Sequence, residues 1–221
     1  MRMSVKSTGS KAVAIASSTG GPKALQSLIP FLPAELDAPV FIVQHMPAGF
    51  TEALSIRLDQ LSGLSVKEAA EGDTAEKGHA YLARGGRHME IRKKAGKETL
   101  HYMDEPPREG VRPCANYMYE SLMDSNYDEI ICVVLTGMGA DGTEGIRHLK
   151  EKKKVTVIAQ DEETCTVYGM PKSVVQAQLA DKILPLTQIA GEITKNVGNL
   201  KWMLISTLVF SWMNQESIWK A

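Results

Sequence analysis

Val13-Ala14-Ile15-Ala16-Ser17-Ser18-Thr19-Gly20-Gly21-Pro22 decides the fold of this chain. The apolar run is short, as in a strand buried on both faces, and it breaks into small hydroxyl residues, two glycines and a proline suited to the first turn of a helix. The reading is strand, tight turn, helix. Such a turn leaves a hydroxyl at the carboxyl end of a strand, with the N–H groups of the loop and helix start facing whatever it attacks. Ser18 stands at the nucleophile's place. Taken alone, the turn also suits phosphate binding or a plain corner, and Ser18 also suits a helix cap.

Outward from that turn, Lys23 to Ile29 reads as a helix ending before Pro30, and Val40-Phe41-Ile42-Val43 as the next strand. Strand, helix and strand in about thirty residues make a right-handed parallel crossover. The second strand ends in Gln44-His45-Met46-Pro47. Neighbouring parallel strands lie about 4.8 Å apart, so Ser18 and His45 are expected to be neighbours in space. Phe50 to Leu61 has a helical period, with Phe50, Leu54, Leu58 and Leu61 on one stripe. From Leu64 to Met103 short alternating segments, with a turn at Lys94-Ala95-Gly96-Lys97, predict an antiparallel insertion attached to the main sheet.

Pro113 to Leu122 reads as a helix and Glu129 to Leu135 as the most strand-like run, opening into Thr136-Gly137-Met138-Gly139-Ala140-Asp141-Gly142 and a helix through Ile146 and Leu149. A strand at Val155 to Ala159, a helix at Pro171 to Leu179 and a short strand at Ile183-Leu184 follow. The alternation predicts an α/β fold: a doubly wound, mostly parallel sheet flanked by helices, with an antiparallel hairpin insertion. One domain is expected over residues 1–197, leaving 198–221 as an apolar tail. Within that tail Trp202 to Met213 is too short to span a membrane.

Composition narrows the function. Across 221 residues, 43% apolar and 23% charged side chains suit a soluble chain with one substantial core, not a disordered or fibrous one. With 25 basic and 26 acidic side chains the formal charge is −1, so the total balance favours neither nucleic acid nor an anionic membrane. The lysines of Lys150 to Lys154 read as solvated cations at a helix C-terminus. Cys114, Cys132 and Cys165 are odd in number and far apart, which argues against a disulfide framework and a structural zinc site. No cofactor and no metal are expected. The N-terminus has no apolar segment of signal-peptide length, so a cytoplasmic location is expected.

Three loops at the carboxyl ends of three apolar strands present Ser18, His45 and Asp141, on the edge where open α/β sheets bind ligands. A hydroxyl needs a base to act as a nucleophile near neutral pH, imidazole suits that work, and a carboxylate holds the imidazole's tautomer. Each residue has a structural alternative: Ser18 and Asp141 as helix caps, the latter for the helix after Gly142, and His45 as a strand-end histidine. His88, after Gly85-Gly86-Arg87, is a second-tier candidate; His79, His101 and His148 read as surface or sheet positions. Gly137 to Gly142 also satisfies G-x-G-x-x-G with Asp161 about twenty residues on, so a dinucleotide-binding oxidoreductase is a rival reading. Asp141 would repel the pyrophosphate there.

In combination these motifs are specific. Ala16-Ser17-Ser18-Thr19-Gly20-Gly21, Gln44-His45-Met46-Pro47 and Leu135 to Gly142 resemble the nucleophile turn, histidine motif and aspartate loop of the bacterial chemotaxis protein-glutamate methylesterases, the CheB family. Gly78-His79-Ala80-Tyr81, His88-Met89-Glu90 and Tyr168-Gly169-Met170-Pro171 add to a resemblance that runs from about Ala12 to Val197. It implies Ser18 as nucleophile, His45 as base and Asp141 as orienting carboxylate, with Thr19, Met138 and Gly139 lining the site and a backbone oxyanion donor near Met138. It further implies hydrolysis of glutamate γ-methyl esters on the cytoplasmic helices of methylated chemoreceptors, a second glutamine deamidase activity, and no direct membrane insertion. A non-catalytic receptor-binding module is the other alternative. Full-length members usually carry a regulatory receiver domain, absent from this sequence. Two departures stand out. Ala16-Ser17 replaces the commoner glycine-alanine, and Cys114-Ala115-Asn116 replaces serine, valine and aspartate, which predicts a weakened helix cap.

Overall fold

A computed structural model describes residues 9–198 of the chain. The first strand, β1 (Lys11–Ser17), is followed by α1 (Gly21–Leu28), a 3₁₀ turn at Ile29–Phe31, β2 (Val40–Gln44) and α2 (Phe50–Leu61). Next come β3 (Ser65–Glu68), β4 (His79–Leu82), β5 (His88–Lys94) and β6 (Lys97–Met103). The remainder is α3 (Ala115–Ser121), a 3₁₀ turn at Leu122–Asp124, β7 (Glu129–Val134), α4 (Thr143–Lys152), β8 (Lys154–Gln160), α5 (Met170–Gln176), β9 (Lys182–Leu184) and α6 (Leu186–Val197).

Seven strands form one parallel sheet in the order β3-β4-β2-β1-β7-β8-β9. β1 alternates small and β-branched residues, and its two faces differ accordingly. Ala12, Ala14 and Ala16 leave room on one face for α3, α4, α5 and the hairpin, where the fully buried Tyr119 donates its hydroxyl hydrogen bond to the Val133 carbonyl at 3.1 Å. Val13 and Ile15 pack on the other face against Leu25 and Leu28 of α1, Leu54 and Leu58 of α2, and Ile189 and Ile193 of α6. Each such fully buried side chain contributes about 2 kcal/mol.

From β1 the chain winds one way to β2, and from β7 it winds the other way to β8. The topological switch therefore lies between β1 and β7, and α1 and α4 leave it on opposite faces. The loops after those two strands splay apart at this point, which is where a crevice opens in a doubly wound sheet.

Three local expectations are corrected. β3 and β4 are parallel members of the main sheet, and only β5 and β6 pair antiparallel, as a separate two-stranded sheet. The two-residue turn at Ala95 (φ 50°) and Gly96 (φ 79°) is as expected for a hairpin. Alternation reports a half-buried strand, as at Val66, but not the direction of its partner. On α2 the buried residues are Thr51, Leu54, Ser55 and Leu58, while Phe50 and Leu61 face out. α1 starts at Gly21, ahead of the expected Lys23, because Gly20 (φ 81°) closes the turn and Pro22 fits the first helical turn. The 3₁₀ turn then carries the chain past Pro30. α6 had no counterpart in the sequence reading. Of the apolar tail, residues 199–221 lie outside the described residues.

Candidate active site

The nucleophile turn is fixed by its main chain. Ser17 stands in register with Gln44 on the neighbouring strand, and the His45 N–H donates to the Ser17 carbonyl at 3.0 Å, so Ser18 and His45 are the next residues beyond two adjacent strand ends. The Ser18 N–H donates to the Thr136 carbonyl (3.0 Å), and the Ser18 carbonyl accepts from the Gly21 N–H (2.8 Å) and Gln44 Nε2 (2.9 Å). Ser18 is partly exposed and Thr19, beside it, is exposed. Among the described residues no hydrogen bond joins the Ser18 hydroxyl to His45.

The other two members meet directly. His45 Nε2 lies 2.7 Å from Asp141 Oδ2, with the two side chains 9% and 3% exposed. Oδ2 also accepts from the Ala115 N–H (2.6 Å), and Oδ1 accepts from the Asn116 N–H (2.9 Å) and the Cys114 thiol (3.0 Å). Burial by itself raises the Asp141 carboxyl, but the bonds from His45, Cys114 and Ala115 outweigh it and hold the group below its ordinary value. The same burial, with the Asp141 charge alongside, pushes the Cys114 thiol up, so it stays a neutral donor.

Asp141 thus caps α3, not the helix after Gly142. Cys114 is the N-cap residue and its side chain makes no cap bond; the carboxylate from the other loop supplies it, so the cap expected to be weak is charge-assisted. The start of α4 is served in return by Asn116 of α3, whose Oδ1 accepts from the N–H groups of Gly142 (3.0 Å) and Gly145 (2.7 Å) while its Nδ2 donates to Glu109 (2.6 Å). The two helix starts are cross-capped. This also counts against the dinucleotide reading, because the donors a pyrophosphate would use at α4 are taken and Asp141 is buried in the turn.

The aspartate loop is held close to Ser18. A Cβ at Gly137 would stand 2.7 Å from the Ser18 Cβ, and one at Gly169 would stand 2.6 Å from the Gly137 oxygen, so two glycines are needed where the loops cross. The Gly137 carbonyl accepts from the N–H groups of Gly169 (3.0 Å) and Met170 (2.8 Å). Thr136 ties the assembly to its neighbours: its N–H donates to Gln160, its hydroxyl donates to the Thr19 carbonyl, and its Oγ1 accepts from Val167 N–H. Gly139 (φ 90°) turns the chain, and the Met138 side chain is 71% exposed at the rim. Among the described residues, no protein acceptor meets the N–H of Met138 or Gly139.

His88 does not reach the rim. It is buried behind the site with both nitrogens engaged, Nδ1 accepting from the Cys114 N–H (3.1 Å) and Nε2 donating to the Pro106 carbonyl (3.1 Å). Burial pushes its pKa down, in keeping with a neutral supporting ring. His79, His101 and His148 bond to Lys77, Glu71 and Glu120 away from the rim. In the Lys150 to Lys154 run, Lys150 and Lys152 stand in the last turn of α4; Lys150 pairs with Asp181, Lys153 donates to the Ser125 and Tyr127 carbonyls, and Lys154 pairs with Glu129.

Sequence reasoning assigned no role to Gln44, Asn116, Thr136 or Gly169. All four lie inside stretches already singled out, Gln44 and Thr136 next to strand ends and Asn116 and Gly169 at helix starts. Among the described residues no group of three His, Cys, Asp or Glu side chains has metal-binding geometry, and no helix is long and apolar enough to cross a membrane.

Known proteins share this arrangement of chain. A family model described as CheB methylesterase matches residues 13–193. The protein-glutamate methylesterase/protein-glutamine glutaminase of Geobacillus kaustophilus is 44% identical over 186 residues, which is 84% of this chain and 53% of the relative. A protein of the same name, numbered 2, from Methanosarcina mazei is 48% identical over 189 residues, 84% of this chain and 51% of the relative. The crystal structure of the Thermotoga maritima CheB methylesterase catalytic domain matches with a TM-score of 0.81 at 42% identity, covering 84% of this chain and 97% of that one. The chain spans about half the length of the curated relatives it matches.

Proposed function

Because the chain belongs to the CheB methylesterase family, we propose that it hydrolyses glutamate γ-methyl esters on the cytoplasmic helices of chemoreceptors, with Ser18, His45 and Asp141 as its catalytic triad, and deamidates glutamine at similar positions. The observation that carries this reading is the 2.7 Å bond between His45 Nε2 and Asp141 Oδ2, on the rim beside the strand end that bears Ser18.

An ionised carboxylate only accepts, so Asp141 keeps a proton on His45 Nε2 and leaves Nδ1 as the nitrogen that takes the seryl proton. Ser18 Oγ attacks the γ-carbonyl carbon as that proton moves to Nδ1. The tetrahedral oxyanion is received by the N–H groups of Met138 and Gly139, donors that need no reorganisation because Gly137 and Gly169 brace their loop. Collapse breaks the bond to the methoxy oxygen, which leaves as methanol with the proton from Nδ1. Water then gives a proton to His45 Nδ1 and attacks the acyl carbon; the bond from that carbon to Ser18 Oγ breaks, Oγ takes the proton back from Nδ1, and glutamate is freed. With a glutamine side chain the leaving group is ammonia. Triad contacts commonly tighten only when substrate binds.

Methanol release from methylated receptor, wild type against Ser18→Ala, tests the proposal. Ser18→Ala is expected to lower turnover by roughly 10⁴-fold or more with an unchanged melting curve. Turnover surviving within about tenfold removes Ser18 from the role. A chain that binds receptor and releases no methanol is a binding module.

A further inference from the structure

We infer, resting on the esterase reading above, that Gln44 and Ser17 are positioning residues: a buried amide latch that fixes the main chain of Ser18 against that of His45. Gln44 ends β2 and is 1% exposed, and its Nε2 donates both to the Ser18 carbonyl (2.9 Å) and to the His45 carbonyl (3.1 Å). Carbonyl oxygens only accept, so the amide nitrogen must face them and Oε1 must face the other way. There it meets the fully buried Ser17 hydroxyl at 2.7 Å, which donates to it. A single side chain therefore joins the two residues between which the proton passes.

Its surroundings are shaped to admit it. A Cβ at Gly21 would stand 1.9 Å from Gln44 Oε1, so a side chain at the start of α1 would expel the amide. Ser18 is bonded at its N–H to Thr136 and at its carbonyl to Gly21 and Gln44, so its main chain is held on both sides. The latch touches no reacting atom. It acts where the strand ladder has ended, on the separation of hydroxyl and ring, and a misplacement of about 1 Å there costs on the order of 10²-fold in rate.

The test is steady-state methanol release by the full chain, as wild type, Ser17→Ala, Gln44→Met and the double variant, each checked by thermal melting to be folded at the assay temperature. Gln44→Met is expected to lower kcat about 10²-fold with KM within about twofold, and Ser17→Ala to lower kcat about three- to tenfold. Ser17→Ala is expected to add nothing in the Gln44→Met background, since the hydroxyl acts through the amide. Losses confined to KM, multiplicative losses in the double variant, or a folded Gln44→Met with kcat within about twofold of wild type overturn the latch. Should Gln44→Met not fold, Ser17→Ala decides: kcat within about 1.5-fold of wild type overturns the latch. These outcomes are read against an active wild type and an inactive Ser18→Ala; failure of that pair is failure of the esterase reading instead.

Discussion

Ser18 and Asp141 sit at the ends of adjacent strands but are held in opposite ways. Around Ser18 the main chain is bonded on both sides, by Thr136 on β7's loop and by Gly21 and Gln44, while its hydroxyl has no hydrogen-bond partner among the described residues. Around Asp141 it is the side chain that is fixed, by four donors from His45, Cys114, Ala115 and Asn116 at 3% exposure. The difference fits what each group would do in the proposed triad. A nucleophile has to rotate between a proton acceptor and a carbon, whereas a carboxylate that orients a ring gains nothing by moving. The first is served by neutral hydrogen bonds to carbonyls, the second by charge-assisted ones that also cap a helix.

Removing the charge is expected to have the largest effect. Asp141→Asn should lower kcat by roughly 10⁴-fold, measured by methanol release, because the amide no longer fixes the tautomer of His45. A loss of only about twofold would leave Asp141 as a cap for α3. The same variant reports on acid stability. The Asp141 carboxyl is held below its ordinary value in the folded chain, so its contribution is complete above the unfolded value of about 3.9 and is lost as pH falls through the folded value. Acid titration followed by circular dichroism should therefore show a shallower loss of stability below about pH 4 in Asp141→Asn than in wild type.

A smaller effect is expected one layer further out. Asn116→Ala leaves the buried N–H groups of Gly142 and Gly145 without their acceptor, at a cost of about 2–3 kcal/mol in denaturant unfolding. The aspartate loop loosens with them, and kcat should fall about tenfold with KM little changed. An unchanged kcat would separate the cross-cap from the chemistry and make it a stability device alone.

Cys114→Ser should do least. A hydroxyl replaces a thiol as donor to Asp141 Oδ1, so activity should stay within about threefold and the melting temperature should hold or rise slightly. A large loss would mean that the site is tuned to the size of sulfur and not only to a donor.

Much of this was legible in the residues. The apolar runs at Val13, Val40 and Ile130 announce buried strands, and the glycine, hydroxyl and proline residues after them announce loops at one edge, so the sheet and three rim positions could be read directly. What failed did so for identifiable reasons. Val66 alternates with polar neighbours as any half-buried strand does, and nothing local says that its partner runs parallel. Phe50 keeps the helical period of Leu54 and Leu58, yet at the first turn of α2 it stands at the rim where no layer covers it. The structural alternative for Asp141, a cap on the helix after Gly142, rests on that helix being adjacent in sequence. Its carboxylate turns instead to α3, 25 residues earlier for the Asn116 N–H.

The order of residues alone determined which segments become strands, where each strand ends, and which chemical groups stand at those ends, because burial pattern and turn chemistry are local properties. The folded molecule decided which groups touch: that His45 presents Nε2 to Asp141, that Asn116 and Asp141 exchange caps, and that Gln44 reaches two carbonyls at once. A hydrogen bond has a direction and a reach of about 3 Å. Whether two side chains distant in sequence satisfy both is fixed only when the sheet and its flanking helices have packed.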